Sequence, residues 1–167
     1  MKKAIYILLL FFALPFLAFS QKKDEKAIRK TFENYKKALL NDNGKQAADC
    51  IDKTTLEYYV EMIEIAKKAD SIAIKSFSSF NKRIVLIIHE RISVEKSASF
   101  NAKKLFAYLI DNRLIAKNEI EQISIGEIII EGNFAKAYYG EEYVSYCDFT
   151  KEKGQWKINL VTPIPRL

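Results

Sequence analysis

His89 is the side chain of this chain best suited to proton transfer, because it is the only histidine present. An imidazole oriented by an acid can act as a general base, since its pKa lies near neutral pH. His89 falls just off the apolar stripe formed by Ile84, Val85, Ile88 and Ile92, however. That position also fits a solvent-facing residue at a helix surface, so no catalytic residue is assigned from the sequence.

Tyrosine gives the clearest compositional signal for binding. Four of the nine tyrosines fall in two adjacent segments, at Tyr138, Tyr139, Tyr143 and Tyr146. A tyrosine offers an apolar ring and a polar tip, which suits pockets and interfaces. Tyrosine is also a good strand former, which is the structural alternative. We take these tyrosines, with His89, as candidate binding residues.

Motifs for metals, phosphates and activated nucleophiles do not occur in the sequence. The chain has one His, two Cys and five Gly. These residues form no CxxC or HxxxH pair for zinc, no glycine-rich phosphate loop and no GxSxG elbow. We therefore expect neither a metal nor a cofactor.

Cys50 and Cys147 are the only cysteines. In an exported protein an even number of cysteines permits a disulfide, and closing so long a loop would stabilise the fold by about 4–5 kcal/mol. Two separate buried thiols are the alternative, because free cysteine packs as a small apolar residue. The sequence leaves both arrangements open.

Residues 1–20 have the layout of a secretory signal peptide. Lys2 and Lys3 precede an apolar run from Ala4 to Leu14, and small residues follow at Ala18 and Ser20. This pattern predicts cleavage before Gln21 and export to the periplasm or the medium. An uncleaved N-terminal anchor is the alternative. No later apolar run approaches the ~20 residues of a membrane span, so we expect none after cleavage.

The remaining residues 21–167 have the length of one domain. The 167-residue chain carries a formal net charge of +6. The densest basic group, residues 22–30, is interrupted by Asp24 and Glu25. Such mixed charge predicts a solvated helix face rather than a nucleic-acid or anionic-surface patch.

The first half of the domain is patterned for helices. Ile28, Phe32, Tyr35 and Leu39 recur at helical spacing, which predicts a helix over 27–40 with Asp24 as its N-cap. Further helices are predicted over 45–51, 54–66, 71–77, 80–92 and 98–111. Residues 84–88 are β-branched enough for a strand, but their apolar positions fit one helix face better.

From Glu119 onward the pattern changes to strands separated by turns. Strands are predicted over 120–130, 134–139, 143–150 and 155–161, with Gly126 at a bulge. Trp156, Ile158 and Leu160 alternate with polar residues in the last of them, which indicates one buried face. Helices followed by antiparallel strands predict an α+β domain with its N-terminal helices packed on one face of a mainly antiparallel sheet.

The closing hairpin supports a more specific comparison. Phe149, the charged turn Lys151–Gly154 and the sequence Trp156-Lys157-Ile158 resemble the nuclear transport factor two-like superfamily of cone-shaped, cystatin-like α+β folds, in particular its uncharacterised exported bacterial members. The resemblance implies a helical layer lying in a strongly curved sheet. It implies no particular chemistry, because that superfamily hosts isomerases, dehydratases and binding modules alike.

Two main functional hypotheses follow. The first is an exported, non-enzymatic domain that binds a small apolar ligand or an envelope protein partner, either in a Tyr-lined concave pocket or on a broad flat patch. The alternative is a metal-free isomerase or dehydratase. By analogy with inner-sheet carboxylates of cone-shaped folds, Asp148 would then transfer a proton beside tyrosine donors. Strand parity weighs against it, because Asp148 alternates with Phe149.

Overall fold

In a computed structural model of the chain, helices come first and an antiparallel sheet follows. The structure describes the backbone of residues 2–68, 74–92, 100–114, 120–139 and 145–161, and side chains from residue 21 onward. The helices are α1 (Lys2–Leu40), α2 (Gly44–Ala48), α3 (Lys53–Lys68), α4 (Ser79–Arg91) and α5 (Ala102–Asp111). The strands are β1 (Ile125–Glu131), β2 (Phe134–Tyr139), β3 (Ser145–Glu152) and β4 (Gln155–Asn159). The predicted α+β class is confirmed.

Helix α1 buries the stripe that the sequence predicts, with Ile28, Phe32 and Leu39 all in the core. The helix runs without a break from Lys2, so the prediction of Asp24 as an N-cap is wrong. Asp24 lies inside the helix, and its carboxylate instead accepts hydrogen bonds from two residues of the sheet. The helix ends at Leu40, and Asp42 shortly beyond takes a left-handed conformation with φ of 52°.

Helix α2 packs closely on α5. The Asn43 side chain caps α2 by accepting from the Gln46 amide at 3.0 Å. The Gly44 amide donates to Asp111 Oδ1 at 2.6 Å. A Cβ atom at Gly44 would overlap the backbone of Ala107. Only glycine therefore permits this approach of the two helices.

Helix α3 begins at a buried carboxylate, that of Asp52. Asp52 Oδ1 accepts from the Thr55 amide at 2.8 Å, and its Oδ2 accepts from the Thr150 hydroxyl at 3.3 Å. Asp52 is fully buried, so these two hydrogen bonds replace the ones that its carboxylate would form with water. The same side chain thus caps α3 and ties it to β3.

The segment around residues 84–88 is helical, as predicted. Helix α4 is capped by the Ser78 hydroxyl, which accepts from the Asn81 amide at 3.3 Å, and it buries Ile84, Val85 and Ile88. Helix α5 is capped by Asn101, so it begins later than predicted. Two predicted helix starts, near residues 71 and 98, lie outside the described residues.

The strands pair in the order β1-β2-β3-β4, and each pair is antiparallel. The predicted bulge at Gly126 is confirmed by a register shift between Ile125 and Ile128. Residues 120–124, which the sequence assigned to β1, form turns and irregular chain instead. The start predicted for β3 at Tyr143 lies outside the described residues.

One face of the sheet belongs to the core. Its buried side chains are Ile128, Ala135, Ala137, Phe149, Trp156 and Ile158. We call this the inner face; α1 contacts the sheet at β1 and β4. Leu160 lies beyond β4 and is 40% exposed, so its predicted inward position is wrong. The described core begins at Ile28, and removal of residues 1–20 takes none of it. No helix in the described part of the chain is both long and apolar enough to cross a membrane.

Candidate functional site

The register of β2 and β3 places several of the candidate residues on the face opposite the core. Lys136 lies across from Asp148, and Tyr138 lies across from Tyr146. Because side chains alternate along a strand, these residues point away from buried Ala135, Ala137 and Phe149. We call this surface the outer face; it comprises Ile129, Phe134, Lys136, Tyr138, Tyr146 and Asp148.

The outer face exposes three large apolar side chains around the Lys136–Asp148 pair. Phe134 is 66% exposed, Ile129 42% and Tyr146 40%. Ile129 pairs with Lys136 in the register between β1 and β2, so the exposed residues span three strands. Exposed apolar side chains that share one sheet face are more informative than scattered ones, because larger exposed apolar patches are typical of interaction sites.

Contacts within the outer face hold its side chains in place. The rings of Tyr138 and Tyr146 lie 6.0 Å apart at an angle of 58°. The Lys136 ammonium lies 4.5 Å from the centre of the Tyr146 ring, within the range of a cation–π interaction. An aromatic group fixed in this way loses little conformational entropy when a partner covers it.

Asp148 shares the outer face with Lys136 and the two tyrosines. Burial raises the pKa of its carboxyl above the usual value, and the opposite Lys136 counters only part of that effect. Among the described residues, no tyrosine hydroxyl donates a hydrogen bond to Asp148. Phe149 faces the core, so the parity argument that sends Asp148 outward is confirmed.

The other two candidate tyrosines do not join this surface. Tyr139 lies across from Ser145, one residue further along β2 than Tyr138, and therefore points to the inner side. Tyr143 lies outside the described residues. The sequence analysis in turn missed Phe134, Ile129 and Lys136. The pattern of side-chain size along β2 could have predicted them, because the small residues Ala135 and Ala137 alternate there with larger ones.

His89 belongs to the helical layer and serves as a link between helices. Its Nε2 donates to the carbonyl oxygen of Ala66 at 2.5 Å, which joins α4 to the last turns of α3. That nitrogen is therefore occupied by a structural hydrogen bond. The structure places His89 in a different part of the molecule from the outer-face residues.

Cys50 and Cys147 are free thiols. Ile51 pairs with Ile158 of β4, and the β3–β4 register continues so that Cys147 faces position 160. Cys50 and Cys147 are therefore separated by two strand spacings across the sheet and by about three residues along the strands. Together these offsets put their Cα atoms roughly 14 Å apart. A disulfide spans less than about 7 Å, so the structure favours two separate thiols.

Burial raises the pKa of Cys147 to about 12 and also raises that of Cys50. Both therefore stay protonated and unreactive.

Two open grooves of about 380 Å³ each lie away from the outer face. One runs along the exposed side of α4, between Ser79 and Glu90. The other lies between α1 and β4, where Lys30, Asn34, Asp49 and Lys157 make its lining mainly polar. Within the described residues, no group of three His, Cys, Asp or Glu side chains could hold a metal ion.

Comparisons of the chain with protein-family models, with curated proteins and with solved structures found no match. The resemblance of the closing hairpin to the nuclear transport factor two-like superfamily therefore rests on the residues of that hairpin alone.

Proposed function

We propose that the protein is an exported binding domain that docks on an envelope protein partner through its outer face. The observation that carries this proposal is the exposure of Phe134, Ile129 and Tyr146 together on one sheet face. Burying such side chains contributes about 25 cal/mol per Å² of apolar area removed from water. Aromatic side chains of this kind supply much of the binding energy at protein interfaces.

A protein partner fits this surface better than a small apolar ligand does. Small ligands bind in concave pockets that cover most of their surface. Here the inner face is filled by the core, whereas the apolar side chains stand on the open face. The groove between α1 and β4 has a mainly polar lining. The partner we propose presents an apolar patch to Phe134 and Ile129, with polar groups for the Lys136–Asp148 pair.

The signal-peptide layout of residues 1–20 supports export. The cone-shaped fold of the nuclear transport factor two-like superfamily remains part of this proposal, supported by the hairpin sequence and by the position of α1 against β1 and β4. No residue of the outer face needs to act as an acid, a base or a nucleophile in this function.

Site-specific photo-crosslinking tests the proposal. A photoreactive phenylalanine analogue at position 134 should form one discrete adduct with another protein in the envelope, and Ile129→Lys should abolish it. The matched control is the same analogue at Phe80, which is 55% exposed on α4 and should form no such adduct.

The adduct partner, identified by mass spectrometry and purified, should bind the wild type and lose at least tenfold in affinity for Phe134→Ala. Equal adducts at both positions, or none at position 134, would overturn the proposal. An adduct with a second copy of this chain would replace the partner with self-association. A small apolar molecule retained in native mass spectra would restore the ligand hypothesis.

A further inference from the structure

Lysines from two distant parts of the sequence meet around residues 22–30 of α1, at the end of the domain that would begin at Gln21. The Lys151 ammonium donates to Asp24 at 2.7 Å, and the Trp156 indole donates to the same carboxylate at 2.9 Å. These bonds fix the β3–β4 turn, which carries Lys153, beside the turns of α1 that carry Lys22, Lys23 and Lys26. We call this end, comprising Lys22, Lys23, Lys26, Lys30, Lys151 and Lys153, the basic pole.

Two acids of the basic pole, Asp24 and Glu152, are used inside the protein. Asp24 accepts from Lys151 and Trp156, and Glu152 Oε1 accepts from the Lys53 amide at 2.7 Å. In contrast, Lys22, Lys23, Lys26 and Lys153 are exposed, and their ammonium groups form no hydrogen bond or ion pair with the residues that the structure describes. Asp24 and Glu152 are thereby directed inward, whereas Lys22, Lys23, Lys26 and Lys153 stand exposed beside one remaining acid, Glu25.

A groove opens beside the basic pole. It lies between α1 and the β3–β4 hairpin, has a volume of about 380 Å³, and is lined by Ala27, Lys30 and Gly154 among others. Lys26 and Lys153 directly adjoin these lining residues in the sequence. A phosphate-sized anionic group therefore has both space and nearby positive charge at this end.

We propose that the basic pole docks on the anionic headgroups of a lipid bilayer. Helix α1 continues from the pole toward Lys2, and the apolar run Ala4–Leu14 lies on that continuation. Residues 15–19 are also apolar, and the helix from Ser20 to Lys26 spans only about 9 Å. A chain whose apolar run enters the bilayer thus holds these lysines at headgroup level, and the same lysines retain the domain there after cleavage.

This arrangement distinguishes a bilayer from other anionic partners. Basic residues next to an apolar helix are the usual pattern for attraction to anionic lipids, with each lysine strengthening binding about fivefold near the surface. The sequence alone favoured a solvated helix face for residues 22–30. The addition of exposed Lys153 from the hairpin, and the internal use of Asp24 and Glu152, change that conclusion.

Vesicle co-sedimentation of the chain beginning at Gln21, which keeps the whole described core, tests the inference. Wild-type protein should bind vesicles containing phosphatidylglycerol and should not bind vesicles of phosphatidylcholine alone. Binding should fall as ionic strength rises toward 1 M, because salt screens exposed charge. Lys23→Glu combined with Lys153→Glu should weaken binding of order 25-fold or more.

The matched control carries the same change in charge elsewhere. Lys37→Glu with Lys45→Glu alters one exposed lysine near the C-terminal end of α1, about 21 Å from Lys23 along the helix, and one exposed lysine in α2. This control should bind within twofold of wild type, and circular dichroism should show all variants folded. Equal binding to both vesicle types, or equal losses in the two double variants, would overturn the inference. Phe134→Ala should leave vesicle binding unchanged, which separates this result from the proposed partner function.

Discussion

The inner and outer faces of strand β2 carry the reverse of the usual distribution of side-chain size. Its core positions are Ala135 and Ala137, whereas the solvent positions are Phe134, Lys136 and Tyr138. An antiparallel strand with one wet face normally turns its large apolar residues inward. The core therefore does not account for Phe134 or Tyr138, and this difference is what the proposed binding function of the outer face would explain.

The small residues of the inner face have a packing reason of their own. Ala135 lies across from Phe149, which in turn lies across from Ile158. A large ring between a small residue and a branched one lets neighbouring side chains interdigitate without a void. The inner face thus explains stability, and the outer face is free to serve binding.

The sharpest test of this contrast replaces one phenylalanine on each face. Phe149→Ala should lower the free energy of unfolding by about 3–5 kcal/mol, because it leaves a cavity in the core. Phe134→Ala should change it by less than about 0.5 kcal/mol, as expected for an exposed site. Urea denaturation measures both. Similar losses for the two variants would mean that the outer face is part of the fold.

In binding measurements, in contrast to stability measurements, the outer-face phenylalanine should be the one that matters. Phe134→Ala should reduce affinity for the crosslinked partner at least tenfold, about 1.4 kcal/mol, while the protein stays folded. Val60→Ala, at another exposed apolar position on α3, should have no such effect. Titration calorimetry with the purified partner provides the measurement. An equal loss in both variants would show that the outer face has no special role.

Asp24, which anchors the hairpin of the inner face, should stabilise the fold at neutral pH. Burial alone would raise the pKa of Asp24, but hydrogen bonds from Lys151 and Trp156 outweigh it and hold the pKa below the usual value. A lowered pKa means that the native state prefers the ionised form, so this stability is present above the unfolded pKa and is lost as pH falls. Asp24→Asn should therefore cost about 1 kcal/mol at pH 7 and much less at pH 3. Unfolding curves at the two pH values would contradict this if the cost did not shrink.

Asp148 on the outer face should behave in the opposite sense and to a smaller extent. Its raised pKa means that the native state favours the protonated form, so its contribution to stability improves as pH falls and is lost as pH rises. Asp148→Asn should stabilise the protein at pH 7 by about 0.5 kcal/mol or less. The gain should disappear as the pH falls through the raised pKa. A destabilised Asp148→Asn would indicate that Lys136 outweighs burial at this site.

Periodicity along the chain predicted the elements well. The spacing of Ile28, Phe32 and Leu39 predicted α1, and the alternation of Trp156 and Ile158 predicted β4. Local patterns failed where a distant residue decided the outcome. Asp24 looks like a cap in the sequence, but Lys151 and Trp156 use its carboxylate instead. Asp52 can cap α3 from a buried position because its second carboxylate oxygen accepts a hydrogen bond from the Thr150 hydroxyl.

The candidate site was only partly predictable for the same reason. Tyr138, Tyr146 and Asp148 share a face because strand parity is a local property. The separation of Cys50 from Cys147 depends on a bridge between Ile51 and Ile158, which no spacing in the sequence reveals. The bond of His89 to Ala66 likewise depends on how two helices meet.

The contact at Gly44 offers a way to recognise relatives that overall sequence comparison would not detect. Any side chain at this position would overlap the backbone of Ala107, and the amide is held by Asp111. Divergent sequences that keep this helix pairing should retain glycine after an α1-terminating Asn, with an acidic or amide residue at the end of α5. A search weighted on these positions would detect common ancestry from one helix–helix contact rather than from similarity averaged over the whole sequence.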